Sequence, residues 1–445
     1  MIANMKLNKV INPKSFSKYF VPSSQDMPAR RNDLDWLRII VFGLLILFHT
    51  GMFYTANWGF HAKSAYQSET LENFMLIIEP WRMAVLWVIS GIAIKFVLAK
   101  VSLLRFISMR SLRLLLPLLF GILVIVPPQL YVEMIHNGDL QMNFWQFLLE
   151  FFSTDSDVFE KYQSGIWPHI DVNHLWFIRA LWQYSIGLIF FLPLLNSLFL
   201  NKAVNWLCKQ HGVVAILIAV LPIFLITLNW DQDTVRYPLG FTFIIYGYLI
   251  GWHVTFWQRI SQAIKPLLIA AVICCISFVT FYNLVWLDLI KGGEVTNQWL
   301  LMAGMFNYSL MRILGILTVF ALAHKFLNRD STKLTYFNDA VYPFYILHQT
   351  FILVIGYNLS SLNLGPVLEP LLLIICTVAA CFIGFEVIRR TELLRPCFGL
   401  KMTKKYSPMV VRLGYISAYL MILPIGYIIF SWSVYLIATS LVSIL

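Results

Sequence analysis

Charged residues are scarce in this chain: Asp, Glu, Lys and Arg make up only 12% of its 445 residues, and hydrophobic residues make up 59%. A soluble domain carries about 25% charged residues. The mean hydropathy of the chain is +0.73. This composition excludes an ordinary soluble protein and favours an integral membrane protein.

Cysteine is also sparse, and no two cysteines form a C-x-x-C pair. None lies in a predicted outer loop, so neither a disulfide framework nor a zinc site is expected. A signal-peptide cleavage site of the A-x-A kind is lacking after the first apolar run, which is therefore predicted to remain as a helix. The six cysteines are Cys208, Cys274, Cys275, Cys376, Cys381 and Cys397.

Long apolar runs are abundant, and no internal repeat relates the two halves of the chain. About eleven runs are long enough to cross a bilayer as helices, which predicts an all-α, polytopic integral membrane protein. The last run contains Pro424 and is long for one span, so a kinked helix and a tight hairpin both fit it. The runs lie at 36–55, 74–98, 111–131, 174–198, 212–229, 238–257, 266–288, 299–325, 340–358, 365–387 and 411–441.

The positions of the 33 Lys and Arg residues predict the orientation in the membrane. Of these, 26 lie in the N-terminal tail and in every second connection, four lie in the opposite connections, and three lie within helices. Because basic residues are retained on the cytosolic side, the N-terminus is predicted to be cytoplasmic. The net charge of +11 is then mainly a signal for membrane insertion, and no nucleic-acid partner is expected.

Two ionisable residues share one face of the first predicted helix. Arg38 and His49 are separated by roughly 16 Å along the helix and by about 20° around it. An ionisable group inside a membrane is a functional hypothesis by default, and a neutral imidazole suits a general base. A histidine that is hydrogen-bonded between helices explains His49 as well, and a snorkelling end anchor explains Arg38.

A second basic motif, R-x-x-R, stands at the cytosolic end of the third predicted helix, in SMRSLRLLLP. Its spacing places Arg110 and Arg113 on one helix face, where two guanidinium groups can bind phosphate together. Anchoring of the helix at the cytosolic surface is the alternative. Arg38 lies on the same predicted side, so the three arginines are candidates for binding a phosphorylated cytosolic molecule.

Four further residues are candidates for a supporting or acceptor-binding pocket: Arg82, His174, Tyr345 and His348. Glu79 precedes Arg82 by three residues, so an ion pair is the simplest explanation of Arg82. Tyr345 and His348 belong to a polar stripe on the ninth predicted helix, which hydrogen bonding between helices explains nearly as well.

The segment before the fourth predicted helix also carries polar residues. Asn173 is a natural N-cap for that helix, so His174 also fits an ordinary interfacial residue. His169, Asp171 and His174 allow a metal site to be drawn. They lie in a loop without a cluster of carboxylates or cysteines, so no metal is expected.

These motifs together resemble the type-3 acyltransferase family of bacterial membrane proteins, and within it the osmoregulated periplasmic glucan biosynthesis protein C group. The resemblance covers about residues 30–390 and rests on R-x10-H, R-x-x-R, the segment 81–91, His174-Leu-Trp-Phe and Tyr345-Ile-Leu-His348. It implies a ten-helix core at 36–390 in a multi-pass protein of the bacterial cytoplasmic membrane. A basic cytoplasmic tail at 1–35 precedes this core, and a basic segment with an extra helix follows it at 391–445.

The resemblance further implies O-acylation of a periplasmic or cell-surface glycan by cytosolic acetyl-CoA or succinyl-CoA, with no resident cofactor. His49 would be the essential residue, as general base or as acyl carrier, and Arg38, Arg110 and Arg113 would lie near the donor. A channel beside Arg38 would then lead the pantetheine arm of the donor to His49. A transporter or flippase for a sugar-linked or anionic substrate is the alternative, because the same charged residues fit a transport path.

Overall fold

The computed structural model describes residues 22, 27–153, 156–163, 169–231, 234–294, 297–402, 407–409 and 412. These residues form helices joined by connections, which confirms the all-α, polytopic class. The predicted eleventh span at 411–441 lies outside the described residues apart from position 412, and so does most of the predicted tail at 1–35.

Ten helical spans account for most of the described chain and match the first ten predicted runs. Nine of them are long and apolar enough to cross a membrane alone, and α6 qualifies together with the helix that follows it. In chain order the spans are α1 Asn32–Met52, α2 Glu69–Leu98, α3 Leu103–His136, α4 Asn173–Leu195, α5 Gly212–Asn229, α6 Arg236–Ile250, α7 Ile264–Ile290, α8 Gln298–Phe326, α9 Thr332–Ser360 and α10 Gly365–Arg390.

The sixth span differs from the continuous run predicted at 238–257. Helix α6 ends at Ile250, and the next helix, Val254–Gln262, is bent by 102° relative to it. This second helix buries Trp257 and Ile260 and exposes Arg259. An amphipathic helix of this kind buries one face against protein and keeps its charge in a polar environment, so it does not continue the path through lipid.

Helices α2 and α9 form the centre of the bundle, since 67% of the apolar window of each is buried, against 11% for α5 and 17% for α7. Helix α2 crosses α6 at two glycines. A Cβ atom on Gly91 would lie 2.0 Å from the Ile244 carbonyl oxygen, and one on Gly247 would lie 2.0 Å from the Val88 carbonyl oxygen. Small residues allow two membrane helices to approach this closely and gain dispersion energy.

The connection after α1 is fixed by hydrogen bonds on the predicted outer side. Lys63 Nζ donates to the Thr55 carbonyl at 2.6 Å and also to the Trp58 carbonyl. Burial lowers the pKa of Lys63 from its ordinary value. Ser64 Oγ donates to Glu369 on α10 at 2.6 Å. The connection therefore covers the outer end of α1 and joins it to α10.

The glycine contact between α2 and α6 makes a specific prediction. We expect Gly247→Ala to destabilise the protein by about 1–3 kcal/mol or more, because the added methyl group meets backbone atoms that cannot move aside. Thermal unfolding of the purified protein in detergent measures the effect.

Gly43→Ala on α1 is the matched control, since a Cβ atom at Gly43 would have no atom of a neighbouring element within 4 Å. This control is expected to be neutral or slightly stabilising, because Ala favours the helix. Equal losses in the two variants would show that the close approach does not matter.

Candidate active site

His49 on α1 and His348 on α9 form a hydrogen-bonded pair. The His49 Nδ1 atom lies 2.9 Å from His348 Nε2, and the two ring planes differ by 15°. The pair joins two helices that are 299 positions apart in the chain. It brings together the predicted catalytic residue and one of the predicted supporting residues.

A carbonyl group sets the direction of the hydrogen bonds in this pair. His348 Nδ1 lies 2.7 Å from the Tyr345 carbonyl oxygen, which can only accept, so His348 Nδ1 carries the proton. In the neutral ring His348 Nε2 then has the lone pair and accepts from His49 Nδ1–H. The neutral His49 ring therefore keeps its own lone pair on Nε2.

A cavity of about 680 Å³ lies beside His49 on the predicted outer side. Its walls come from the end of α1, the connection after it, and the first residues of α4 and α6. Three arginines and one carboxylate line this outer cavity, which gives it a positive charge: Arg82, Arg179, Arg236 and Asp171.

Arg82 does not form the ion pair that its spacing from Glu79 predicts. The guanidinium carbon of Arg82 lies 3.3 Å from the centre of the Phe48 ring. Glu79 Oε2 instead accepts a hydrogen bond from the Tyr308 hydroxyl at 2.6 Å. Among the described residues, Arg82 Nε and Nη1 have no hydrogen-bond partner. Glu79 lies near enough for its charge to act on Arg82, but no ion-pair contact joins the two side chains.

His174 lines the outer cavity, but hydrogen bonds occupy both of its ring nitrogens. Its Nε2 donates to the Ile346 carbonyl at 3.0 Å, and its Nδ1 accepts from Gln129 Nε2 at 3.2 Å. The Tyr345 hydroxyl donates to the His174 carbonyl at 2.5 Å. These bonds hold α3, α4 and α9 together, so both side chains are placed to support the site.

The predicted N-cap at Asn173 is wrong. Asn173 has a φ of 46°, and no side-chain hydrogen bond caps the short turn that begins there. Its Oδ1 accepts instead from Gln349 Nε2 on α9 at 3.1 Å. Asn tolerates the left-handed conformation better than most residues, so it fits this tight entry into α4.

The three arginines predicted for the donor lie together at the predicted cytosolic end. Arg38 Nη2 donates to Asn338 Oδ1 at 2.7 Å, and Arg113 lies close enough to Arg38 and to Arg110 for their positive charges to repel. Arg113 Nε donates to the Gly399 carbonyl at 3.2 Å. Arg38 Nη2 also lies 3.6 Å from Asp35 Oδ1, whereas Arg110 and Arg113 have no ion pair with a carboxylate among the described residues. Two such like charges near one another suit a phosphate group.

Buried side chains pack along α1 between Arg38 and His49, where the channel is predicted. Val41 and Phe42 of α1 are buried there. The centre of the Phe42 ring lies 5.7 Å from that of the Tyr345 ring and 6.3 Å from that of the Phe177 ring. This aromatic layer separates the outer cavity from the cytosolic arginines.

Two residues of the site are not predictable from their positions in the sequence. Gln129 links α3 to α4 and α9, and its Nε2 also donates to Thr350 Oγ1 at 2.7 Å. The Thr350 hydroxyl donates to the Ile125 carbonyl at 2.7 Å. The paired prolines Pro127 and Pro128 are a signal for this irregular region, because they disturb helical hydrogen bonding. Nothing in the sequence singles out Gln129 or Thr350 themselves.

Among the described residues, no group of three or more His, Cys, Asp or Glu side chains is placed to hold a metal ion. His169 Nε2 lies 2.6 Å from the Phe151 carbonyl, and its ring stacks on Phe159 at 4.1 Å. This histidine therefore packs into the outer connection between α3 and α4.

A polytopic bundle whose outer cavity holds a histidine with one free ring nitrogen is suited to acyl transfer in a membrane. The chain belongs to the type-3 acyltransferase family, because the family model described as "Acyltransferase domain" matches residues 31–386. The expected family is thus confirmed. No solved structure matches the chain at a significant level.

Curated relatives cover most of the chain at low identity. Glucans biosynthesis protein C of Salmonella gallinarum and that of Salmonella paratyphi B are each 24% identical over 392 residues. The protein of the same name from Salmonella heidelberg is 24% identical over 396 residues. Each match covers 84% of this chain and 96% of the relative.

The hydrogen-bond direction predicts the tautomer of His49. We expect the neutral ring to carry its proton on Nδ1, because the carbonyl of Tyr345 fixes the acceptor nitrogen of His348. Nitrogen chemical shifts of protein labelled at histidine measure this, with His49→Ala to assign the signal. In His348→Leu the preference for the Nδ1 tautomer should disappear. A proton on Nε2 of His49 in the unchanged protein would contradict the arrangement.

Proposed function

We propose that this membrane acyltransferase moves an acetyl or succinyl group from cytosolic acyl-CoA to a hydroxyl of a periplasmic or cell-surface glycan. The bacterial cytoplasmic membrane is the proposed location. One observation carries the proposal: His49 is fixed through Nδ1, lines a cavity on the predicted outer side, and has a lone pair on Nε2. The names of the relatives support a glycan as acceptor.

His49 acts as the general base in the proposed reaction. Its Nε2 removes the proton from a sugar hydroxyl, and the oxygen attacks the acyl carbon of the thioester, so that CoA leaves as the thiol. His348 stabilises the imidazolium ion through the Nδ1–H hydrogen bond. The same Nε2 also suits direct attack on the thioester to form an acyl-histidine. Incubation with donor and without acceptor separates the two forms, since only the second leaves labelled protein.

Donor binding is proposed at the cytosolic arginines. Arg110 and Arg113 bind CoA phosphates, and Arg38 lies where the pantetheine arm enters the bundle. The separation of roughly 16 Å between Arg38 and His49 is within reach of the long, thin arm of CoA. Phe42 must move aside for the arm to pass, because its ring lies in the layer between the two sites.

The charge of the outer cavity favours succinyl over acetyl as the transferred group. Arg82 and Arg179 have buried guanidinium nitrogens without a partner among the described residues. A buried cation is costly unless an anion compensates it, and the free carboxylate of a succinyl group supplies one.

The family also favours an enzyme over a transporter or flippase, the alternative function.

The role of His49 predicts the effect of its removal. We expect His49→Ala to lower the transfer rate by roughly 10²–10⁴-fold or more, because the variant has no base at this position. Proteoliposomes with the glycan acceptor on the inner side and labelled acyl-CoA outside, on the side of the cytosolic arginines, measure the transfer.

His211→Ala is the matched control, since His211 is exposed at the predicted cytosolic start of α5. It should transfer at the normal rate. Near-normal glycan acylation by a folded His49→Ala variant would contradict the assignment of His49 as the general base.

The donor site makes a separate prediction. We expect Arg110→Gln and Arg113→Gln each to weaken acyl-CoA binding by about tenfold, because a charge-assisted hydrogen bond contributes about 1.5–3 kcal/mol. Calorimetric titration of the purified variants with acyl-CoA measures the affinity. Arg105→Gln, an exposed arginine on the same helix, is the control. Unchanged affinity for acyl-CoA in Arg110→Gln and Arg113→Gln would indicate that both arginines only anchor the helix at the membrane surface.

A further inference from the structure

A second cavity of about 570 Å³ adjoins the outer cavity, and we refer to it as the lateral cavity. It extends between the outer ends of α5 and α7, over the face of α8. Its lining is largely apolar and aromatic, and includes Trp230, Phe278, Phe281, Trp286 and Tyr308. Nothing in the proposed acyl transfer uses this space.

Arg312 on α8 is the cation that belongs to the lateral cavity alone. Its guanidinium carbon lies 3.9 Å from the centre of the Tyr308 ring, and its Nη1 donates to Thr227 Oγ1 at 3.3 Å. No ion pair joins Arg312 to any carboxylate among the described residues. Glu79, the carboxylate in this lining, is bonded to the Tyr308 hydroxyl. An intramembrane arginine without an acidic partner points to an anionic ligand.

The position of the lateral cavity favours a ligand that arrives from the lipid. Helices α5 and α7 are the two spans with the smallest buried share, so their surfaces face the bilayer. Thr227, which Arg312 contacts, stands two residues before the last residue of α5, Asn229, at its predicted outer end. An anionic headgroup at the outer surface can therefore reach Arg312 while its hydrocarbon chain lies against the aromatic lining.

The wall between the two cavities indicates what this lipid carries. Phe48, Met52, Arg82 and Arg236 line both cavities. His49 lines the outer cavity beyond this shared wall, so a group attached to a phosphate in the lateral cavity can extend toward the acyl-transfer site. A phospholipid such as phosphatidylglycerol would present only its small headgroup there, whereas a glycan carrier would present a sugar.

We propose that the lateral cavity binds a polyprenyl phosphate, with its phosphate at Arg312 and its hydrocarbon chain against α7, and that the glycan acceptor reaches His49 attached to this lipid. The inference rests on the proposed function for the identity of the acceptor. The lipid-binding site itself does not depend on it.

Native mass spectrometry of the purified full chain mixed with undecaprenyl phosphate measures the bound lipid and tests the site. We expect Arg312→Gln to weaken binding by about tenfold or more, since it loses a charge-assisted contact with the phosphate. Arg312→Lys keeps the charge and should stay within about threefold of the unchanged protein. Val235→Trp places a large ring in the lateral cavity and should also prevent binding.

Controls separate this site from general effects on the protein. Arg259→Gln changes an exposed arginine outside both cavities and should bind undecaprenyl phosphate normally. Thermal unfolding identifies variants that fail to fold. Equal binding of phosphatidylglycerol would overturn the assignment to a glycan carrier, and equal competition by inorganic phosphate would overturn the role of the apolar lining.

The two proposals fail in distinguishable ways. In one outcome, the unchanged protein transfers no acyl group to any acceptor and still binds undecaprenyl phosphate through Arg312. That result would reject the proposed function and keep the lipid site. Normal acyl transfer together with lipid binding that does not depend on Arg312 would reject the lipid site alone.

Discussion

The hydrogen bond between His49 and His348 is the interaction on which the proposed chemistry depends. A membrane interior supplies little water, so each buried polar group there must find its partner in the protein. The Tyr345 carbonyl accepts a hydrogen bond from His348, and His348 accepts one from His49. His174 has both ring nitrogens occupied. Of the three histidines, His49 is therefore the one left with a basic nitrogen available to a substrate.

Close helix packing places this histidine pair beside a charged cavity. Gly91 and Gly247 bring α2 against α6, and these two helices supply Arg82 and Arg236 to the wall that both cavities share. The Phe48 ring covers the Arg82 guanidinium, which keeps the cation in place without neutralising it. Such a wall holds positive charge beside both cavities, and each cavity then favours an anionic substrate group.

The sequence was sufficient to predict the existence of the ten described spans and the placement of Arg38 and His49 on α1, because hydropathy and helical spacing are local properties. It did not predict the bend after Ile250 in the sixth span. It failed where partners come from distant helices. Glu79 was expected to pair with Arg82 three residues away, but it accepts a hydrogen bond from a tyrosine of α8 instead. Asn173 was expected to cap its own helix, but Gln349 of α9 takes its side chain. His348 could be singled out as polar, yet its bond to His49 depends on how α1 and α9 pack.

The aromatic layer around Phe42 adds a requirement for motion to the proposed mechanism. In this structure packed rings lie between the outer cavity and the cytosolic arginines, and His49 lines the outer cavity. A permanently open path would expose the thioester to water and would leak small solutes across the membrane. A layer that parts when the donor arm enters avoids both, and the binding energy of CoA phosphates at Arg110 and Arg113 is available to open it. Donor binding at one end of α1 then controls access to the base at the other.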